Sequence, residues 1–469
     1  MMKKLLCLAA TGMFLFSACS NDGDPKDDPG PESGTGQELI LRVANTGDGL
    51  TTKAGRPLYS SEATQTIDKV KVAIFSLGTG DALTGCVFDK EYNQWSDASS
   101  PSGIIYNGST NDGSVDHGRY TTLNLKAEIT NGSNVGLDPG NYLVYAIGYT
   151  SSGSKYAYSP ALTDIVKDWP SASTFSYVTA TTTTEGEEVF AGSIQKITVD
   201  ANRNFTLTAN VANNVLYLHR QVAGAFGYFK NIPAKVDNKD AVTLRLVASA
   251  KNTQLEITNF NSSFRKTGGA NVKYVVNGKT SATANAKFHD AAGADNAVIL
   301  YQITLSDWFT ANPMDTNDDG LLNGQDAGTE LAPTWAIPVA MRADFNAKKG
   351  TVFAGNFVIP FANQNRSTLE LQLLDNTNTI IKYWTVNLAT AQTNVVNKDN
   401  VAIANESTGS YSFVRNHLYT IGEKTMAKPG DPENPGGGET EEPEDLFKGQ
   451  IITLRVNDNW EFIHKLVVE

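Results

Sequence analysis

Apolar residues recur at every second position through much of this chain, and that period limits what it can fold into more than any other feature. Val70, Val72 and Ile74 alternate with Lys69, Lys71 and Ala73. Tyr142 to Ile147 follows the turn Asp138-Pro139-Gly140. Phe205, Leu207 and Val211 alternate with Thr206 and Thr208, and Val242, Leu244 and Leu246 with Thr243 and Arg245. Leu369, Leu371 and Leu373 run up to the turn Asp375-Asn376. A period of two places alternate side chains on one face of an extended strand, whereas an amphipathic helix needs a period near 3.6. Helical patterns of that kind are hard to find here. Val275-Val276-Asn277-Gly278 reads as a hairpin, since Asn-Gly suits a type I′ turn. Short strands punctuated by Gly, Asn and Pro predict an all-β protein built of β-sandwiches. A chain of 469 residues has room for two, with a boundary near residues 200–215.

The C-terminal end breaks the pattern. Residues Ala427 to Asp445 include Pro429, Pro432, Pro435 and Pro443, the run Gly436-Gly437-Gly438 and many acidic side chains. Such a stretch has little apolar surface to bury and reads as an extended or disordered linker. Beyond it Ile452, Leu454 and Val456 alternate with Thr453 and Arg455. Asn457-Asp458-Asn459 reads as a turn, and Trp460 and Phe462 flank Glu461. A lone hairpin on a tether is marginal in water. It needs a sheet edge to join, on its own domain or on a neighbour's, and a tethered spare strand is what strand donation uses.

The N-terminal end reads as an export signal. Lys3 and Lys4 precede the apolar run Leu5 to Phe16, and Ser17-Ala18 precede Cys19. The run is too short for a membrane-spanning helix and fits a signal peptide. A Cys directly after small residues matches a bacterial lipobox, in which Cys19 is lipidated and becomes the new N-terminus. Phe16 stands where Leu is usual, and an ordinary secretory signal with an incidental Cys is the other reading. The net charge of -12 argues against nucleic acid and anionic membrane surfaces as partners. Of the three Cys, Cys7 leaves with the signal and Cys19 would carry lipid, so Cys86 has no partner for an intrachain disulfide.

Asp68–Phe75, Leu218–Ala223, Val414–Ile421 and the linker with its terminal strand pair, in this order, together resemble the major fimbrillins of the Bacteroidales type V pilus, over nearly the whole chain. Asp68-Lys69-Val70-Lys71-Val72-Ala73-Ile74-Phe75 looks like the first retained strand of the N-terminal domain. Leu218-His219-Arg220-Gln221-Val222-Ala223 looks like the start of the C-terminal domain. Val414-Arg415-Asn416-His417-Leu418-Tyr419-Thr420-Ile421 looks like the last domain strand. Ser20-Asn21-Asp22-Gly23-Asp24 and Asp27-Asp28 resemble the acidic signal that sends lipoproteins of that order to the cell surface, although a solvated tether has the same composition.

The resemblance implies two transthyretin-like, Greek-key sandwiches in tandem with a C-terminal donor-strand appendage. It divides the chain into a signal at 1–19, a removable segment at 20–53, sandwiches at 54–210 and 211–426, a linker at 427–446 and donor strands at 447–469. It also implies a surface-exposed pilus subunit, exported as an outer-membrane lipoprotein precursor, cut by a trypsin-like protease and polymerised with copies of itself and other pilus subunits. The cut would free a groove by removing Glu38-Leu39-Ile40-Leu41-Arg42-Val43. Ile452, Leu454, Val456, Trp460 and Phe462 of a neighbour would fill it. Within the loop Gly47 to Gly55, Lys53-Ala54 is the favoured bond, because Arg56 precedes Pro57 and a bond to proline is a poor substrate. A loop that is never cut would simply join two strands.

One loop carries separate chemistry. Asp315, Asn317, Asp319, Asn323 and Asp326 stand at positions 1, 3, 5, 9 and 12 of a calcium-loop pattern, with the Leu321 carbonyl at 7 and Gly320 at the sharp turn. The pattern predicts a structural Ca2+ site, with a polar surface loop as the alternative; no other cofactor is implied. The five His fall in no zinc-protease pattern and there is no G-x-S-x-G, so the chain does not read as an enzyme. Two other readings stand beside the stalk subunit. One is a tip or anchor subunit of the same pilus. The other is a surface lipoprotein that binds a glycan or host protein without polymerising.

Overall fold

The computed structural model describes residues 37–43, 67, 69–92, 105–106, 119–131, 134–150, 155–159, 177–180, 186–191, 195–207, 214–248, 252–256, 274–279, 298–339, 347–361, 369–388, 395–397, 401–402, 412–424, 441–448 and 451–457. These residues form an all-β protein, as the alternation predicts.

Among the described residues the first half is built on a ten-stranded sheet whose main strands are β1 (Glu38–Val43), β2 (Lys69–Leu77), β3 (Leu83–Tyr92), β4 (Arg119–Asn124), β5 (Gly140–Tyr149), β6 (Phe190–Ala191), β7 (Gln195–Val199), β8 (Phe205–Leu207) and β9 (Val215–Arg220), with the short Ile105–Tyr106 pairing to β4 at its end. They run in the order β8-β7-β5-β6-β9-β1-β4, with β2 pairing β5 and β3. The two-residue β6 carries the path from β5 to β9 and so folds the sheet over a core. Val70, Val72 and Ile74 of β2 meet Leu39 and Leu41 of β1, Leu123 of β4 and Leu216 and Leu218 of β9 in that core.

The second half uses β10 (Ala223–Lys230), β11 (Thr243–Ala248), β12 (Val298–Thr304), β13 (Val352–Val358), β14 (Leu369–Leu374), β15 (Ile380–Leu388), β16 (Leu418–Ile421), β17 (Glu444–Asp445) and β18 (Ile451–Asn457). Their order is β12-β11-β14-β15-β18-β16-β10-β13, with β17 on β10. Leu244, Leu246, Leu371, Leu373 and Trp384 pack with Phe353, Tyr419 and Ile452. The Phe413 ring stacks on Phe361 at 4.8 Å and on Tyr419 at 4.0 Å.

Period two predicts one buried face for β2, yet both are buried. Ala73 and Phe75 join Tyr145, Ile147, Val222, Leu255 and Ile359 in a cluster drawn from both halves. Strands Tyr156–Ser159, Tyr177–Ala180, Gln254–Glu256 and Gly278–Lys279 form a further sheet across the same junction.

Three expectations change. The boundary expected between residues 210 and 211 is crossed by the first sheet, because β9 pairs with β1 and β6 inside it. Val275-Val276-Asn277-Gly278 is no hairpin: Tyr274–Val276 runs parallel to Val395–Asn397, and Gly278–Lys279 pairs with Gln254–Glu256. The buried Asn277 amide donates instead to Gln221 Oε1 at 2.9 Å and the Glu256 carbonyl at 3.1 Å. Gly278 is required there, since a Cβ would lie 1.7 Å from the Pro360 carbonyl oxygen. Lastly, the linker expected over 427–446 ends early. Glu441–Glu442 pairs with Glu423–Lys424, β17 pairs with β10, and Leu446 is buried in the second core, an apolar anchor that the acidic composition conceals.

Candidate functional site

Strands β1 and β18 occupy equivalent positions in the two halves. β1 lies between two strands of opposite direction. It is parallel to β9 from Ile40↔Val215 to Val43↔Leu218, and antiparallel to β4 from Glu38↔Asn124 to Val43↔Arg119. β18 is likewise parallel to β15, from Thr385↔Ile451 to Leu388↔Leu454, and antiparallel to β16, from Leu418↔Asn457 to Thr420↔Arg455. Each is a seam. Without β18, strands β12-β11-β14-β15 and β16-β10-β13 are two separate sheets; without β1, β4 has no partner on the β9 side.

The expected spare strand is therefore paired within its own domain, on both edges. Ile452 is buried in the second core, and Leu454 and Val456 are held in the ladder by their backbones. The physical reason is edge satisfaction. β15 and β16 would otherwise both present open backbone groups beside an apolar core, and the alternating segment covers them. Cys19, Lys53, Ala54, Trp460 and Phe462 lie outside the described residues.

A residue that the periodicity gave no reason to single out anchors β1. Gln37, fully buried, uses its side-chain amide as a strand would use its backbone. Its Nε2 donates to the Leu137 carbonyl at 2.7 Å and its Oε1 accepts the Leu137 N–H. Its own carbonyl accepts from Leu125 N at 2.9 Å. Gly136 sits in the left-handed region at φ +79°, where a Cβ would lie 2.4 Å from Gln37 Oε1. The signal was present in the sequence as an internal repeat. Gly36-Gln37-Glu38-Leu39-Ile40-Leu41-Arg42-Val43 and Gly449-Gln450-Ile451-Ile452-Thr453-Leu454-Arg455-Val456 share Gly, Gln, Leu, Arg and Val in register.

The acidic loop is held by its own hydrogen bonds. Asp315 accepts from the N–H groups of Asp319 at 3.3 Å and Gly320 at 2.9 Å, and Gly320 turns the chain at φ +83°. The fully buried Asp326 takes the Thr316 N–H at 2.7 Å, the Thr316 hydroxyl at 3.0 Å and the Asn323 N–H at 3.0 Å. Asp319 accepts from Leu321 N and from the Asn317 and Asn323 amides. Burial alone would raise the Asp319 carboxyl; these donors outweigh it and hold it below the usual range. Leu321–Leu322 pairs with Ile232–Pro233, which ties the loop to the second core. Among the described residues no three His, Cys, Asp or Glu side chains form a group that could hold a metal. A cation here would need the Asn317 and Asn323 amide oxygens and the Leu321 carbonyl as well.

No family model and no curated protein matches the chain. Solved structures are similar to it at low identity. A candidate cell adhesion protein from Bacteroides eggerthii has 11% identity and a TM-score of 0.37, covering 90% of this chain and 96% of that one. A fimbrial assembly protein from Parabacteroides distasonis has 11% identity and a TM-score of 0.33, covering 87% of this chain and 98% of that one. The C-terminally truncated tip fimbrial protein Mfa3 from Porphyromonas gingivalis has 11% identity and a TM-score of 0.29, covering 82% and 94%. At these TM-scores the likeness carries no argument of its own. The chain is similar to adhesion and fimbrial proteins of the Bacteroidales, and the weight of a functional reading falls on its first and last strands.

Proposed function

We propose that this chain is a non-enzymatic structural subunit of a cell-surface fimbria that polymerises by strand exchange. The observation that carries the reading is the pairing of β1 and β18: one octapeptide pattern, twice, each time between a parallel and an antiparallel neighbour. A strand that satisfies one seam has the shape and sequence to satisfy the other in a second copy. The names of the similar structures, which include a fimbrial assembly protein and a tip fimbrial protein, agree with a surface role in adhesion.

Among the described residues the β1 seam offers at least as many backbone partners as the seam that β18 leaves. In its own domain β18 has four parallel partners and three antiparallel ones. The β1 seam offers four parallel and six antiparallel. Apolar side chains of the donor add about 1.5–3 kcal/mol each when fully buried. Reach to a neighbouring domain requires Glu441–Leu446 to leave β10 and the second core together with β18; the roughly 26 residues between Lys424 and Ile451 then span at most about 90 Å when extended. Departure of β18 opens the seam between β15 and β16, so the isolated subunit holds its donor in reserve.

Cys19 carries lipid, the precursor sits in the outer membrane, and a trypsin-like protease cuts Lys53-Ala54 so that β1 is free to leave. The partners are further copies of this chain and other pilus subunits, with a host or bacterial surface ligand for adhesion. The test is to incubate purified protein with trypsin and run an unboiled SDS gel, with N-terminal sequencing of the product. Ladders of chains that start at Ala54 are expected. A single trimmed band would overturn polymerisation in favour of a monomeric surface binder, and ladders of chains that start at Cys19 would indicate an anchor subunit.

A further inference from the structure

Resting on the fimbrial reading, we propose that Gln450 sets the register of assembly: in the β1 seam of a second copy it takes the place of Gln37 and clamps the backbone of Leu137. The need for such a residue follows from the pleat. A donor strand slipped by one residue turns its apolar face outward, and burial rejects it. A slip of two residues keeps the same face inward. Positions 452, 454 and 456 are Ile, Leu and Val, so apolar burial scarcely separates the correct register from its two nearest errors. A single polar anchor does.

The seam has a slot for one. Leu137 is buried; its N–H donates to the Gln37 side chain, and its carbonyl accepts from Gln37 Nε2 at 2.7 Å and from Arg203 Nη2 at 3.1 Å. Gly136, at φ +79°, brings the chain so close to Gln37 Oε1 that no larger residue fits there. The slot asks for one donor and one acceptor on a side chain of glutamine length. Asn is a methylene short, and an ionised Glu accepts without donating. A seam strand lacking the amide leaves the buried Leu137 N–H without a partner and the Leu137 carbonyl with Arg203 Nη2 alone, at 3.1 Å. Gln450 precedes Ile451 as Gln37 precedes Glu38, so the register that puts Leu454 at the Leu41 position also brings Gln450 to Leu137.

The experiment uses the full chain in a Cys86→Ser background, trimmed by trypsin. Ile40 faces Thr122 across the β1–β4 ladder, and Thr453 holds the Ile40 position in the repeat. Copies carrying Thr453→Cys are mixed with copies carrying Thr122→Cys or Tyr120→Cys and then oxidised. With Gln450 present, intersubunit disulfides are expected at 453–122 and not at 453–120. Gln450→Ala should slow ladder growth roughly tenfold and add the 453–120 product. A synthetic peptide of residues 449–458 should cap growth at a concentration roughly tenfold below that of its Gln450→Ala version, a readout independent of variant folding. Equal peptide potencies, or unchanged growth with a single disulfide, would overturn the clamp. Absence of ladders from the trimmed wild type would overturn the fimbrial reading itself, and the clamp with it.

Discussion

Arg220 and Glu188 form an ion pair at 2.6 Å, both side chains buried, where the first sandwich hands the chain to the second. Arg220 Nε donates to Glu188 Oε1 at 2.7 Å, and Nη1 donates across the junction to Asn416 Oδ1 at 3.0 Å. The guanidinium also lies 5.0 Å from the centre of the Phe190 ring. Asn416 holds the left-handed conformation at φ +56° at the turn before β16. One cation thus ties the end of β9, the segment before β6 and the turn that leads to β16.

Arg220→Met is expected to cost about 3–5 kcal/mol, because it strands a buried carboxylate rather than merely removing an attraction. Urea denaturation of the untrimmed chain measures it. Arg220→Met with Glu188→Leu should recover much of the loss. A double variant no more stable than the single one would show that the network acts through shape and not charge.

Glu187 gives the junction a pH dependence. Its side chain is buried beside the backbone of Lys155 and Tyr156. Burial pushes its carboxyl up to about 7, against the pull of the nearby Lys155. The unfolded chain titrates this group near 4.3. Between those values the folded state binds more protons than the unfolded state, so stability falls as pH rises through that window. Glu187→Gln is expected to raise the melting temperature at pH 8 and to leave it unchanged at pH 4. An equal gain at both pH values would assign the effect to packing.

Removal of residues 447–469 should destabilise the protein. The sequence alone suggests that the appendage follows a complete domain, so its loss would be harmless. The structure makes β18 the strand that joins β15 to β16 and puts Ile452 in the core. Scanning calorimetry of the truncated chain should show a lower or lost transition for the second sandwich, restored by the 447–469 peptide. An unshifted transition would mean that β18 contributes nothing to its own domain.

The loop at 315–326 is expected to be stabilising in itself, and the calcium pattern of its sequence is a separate proposal that its internal hydrogen bonds oppose. Asp326→Ala removes a buried carboxylate that caps Gly324–Ala327 and holds Thr316, at a cost of about 2–4 kcal/mol. Millimolar calcium should raise the melting temperature of the wild type, because a ligand that binds only the folded state stabilises it. Asp315→Ala with Asp319→Ala should abolish that increment. A wild type indifferent to calcium would leave the loop held by hydrogen bonds alone.

What the sequence determined by itself is the set of strands, because alternation is a local property and each strand carries its own. β2, β5, β11 and β14 fall where the apolar period puts them. The Gly36–Val43 and Gly449–Val456 repeat was equally legible, and it identifies two strands built for one kind of seam. Only the tertiary structure decided which edges those strands join. Any open edge can accept an alternating strand, and the choice of β15 and β16 rests on a ladder and a core assembled from distant segments. Asn277 shows the same limit: the dipeptide suits a tight turn, but bonds to Gln221 and Glu256, formed only once the halves meet, outweigh that local preference. The burial of Ala73 and Phe75 on the second face of β2 has the same cause, since no strand encodes what another sandwich will later cover.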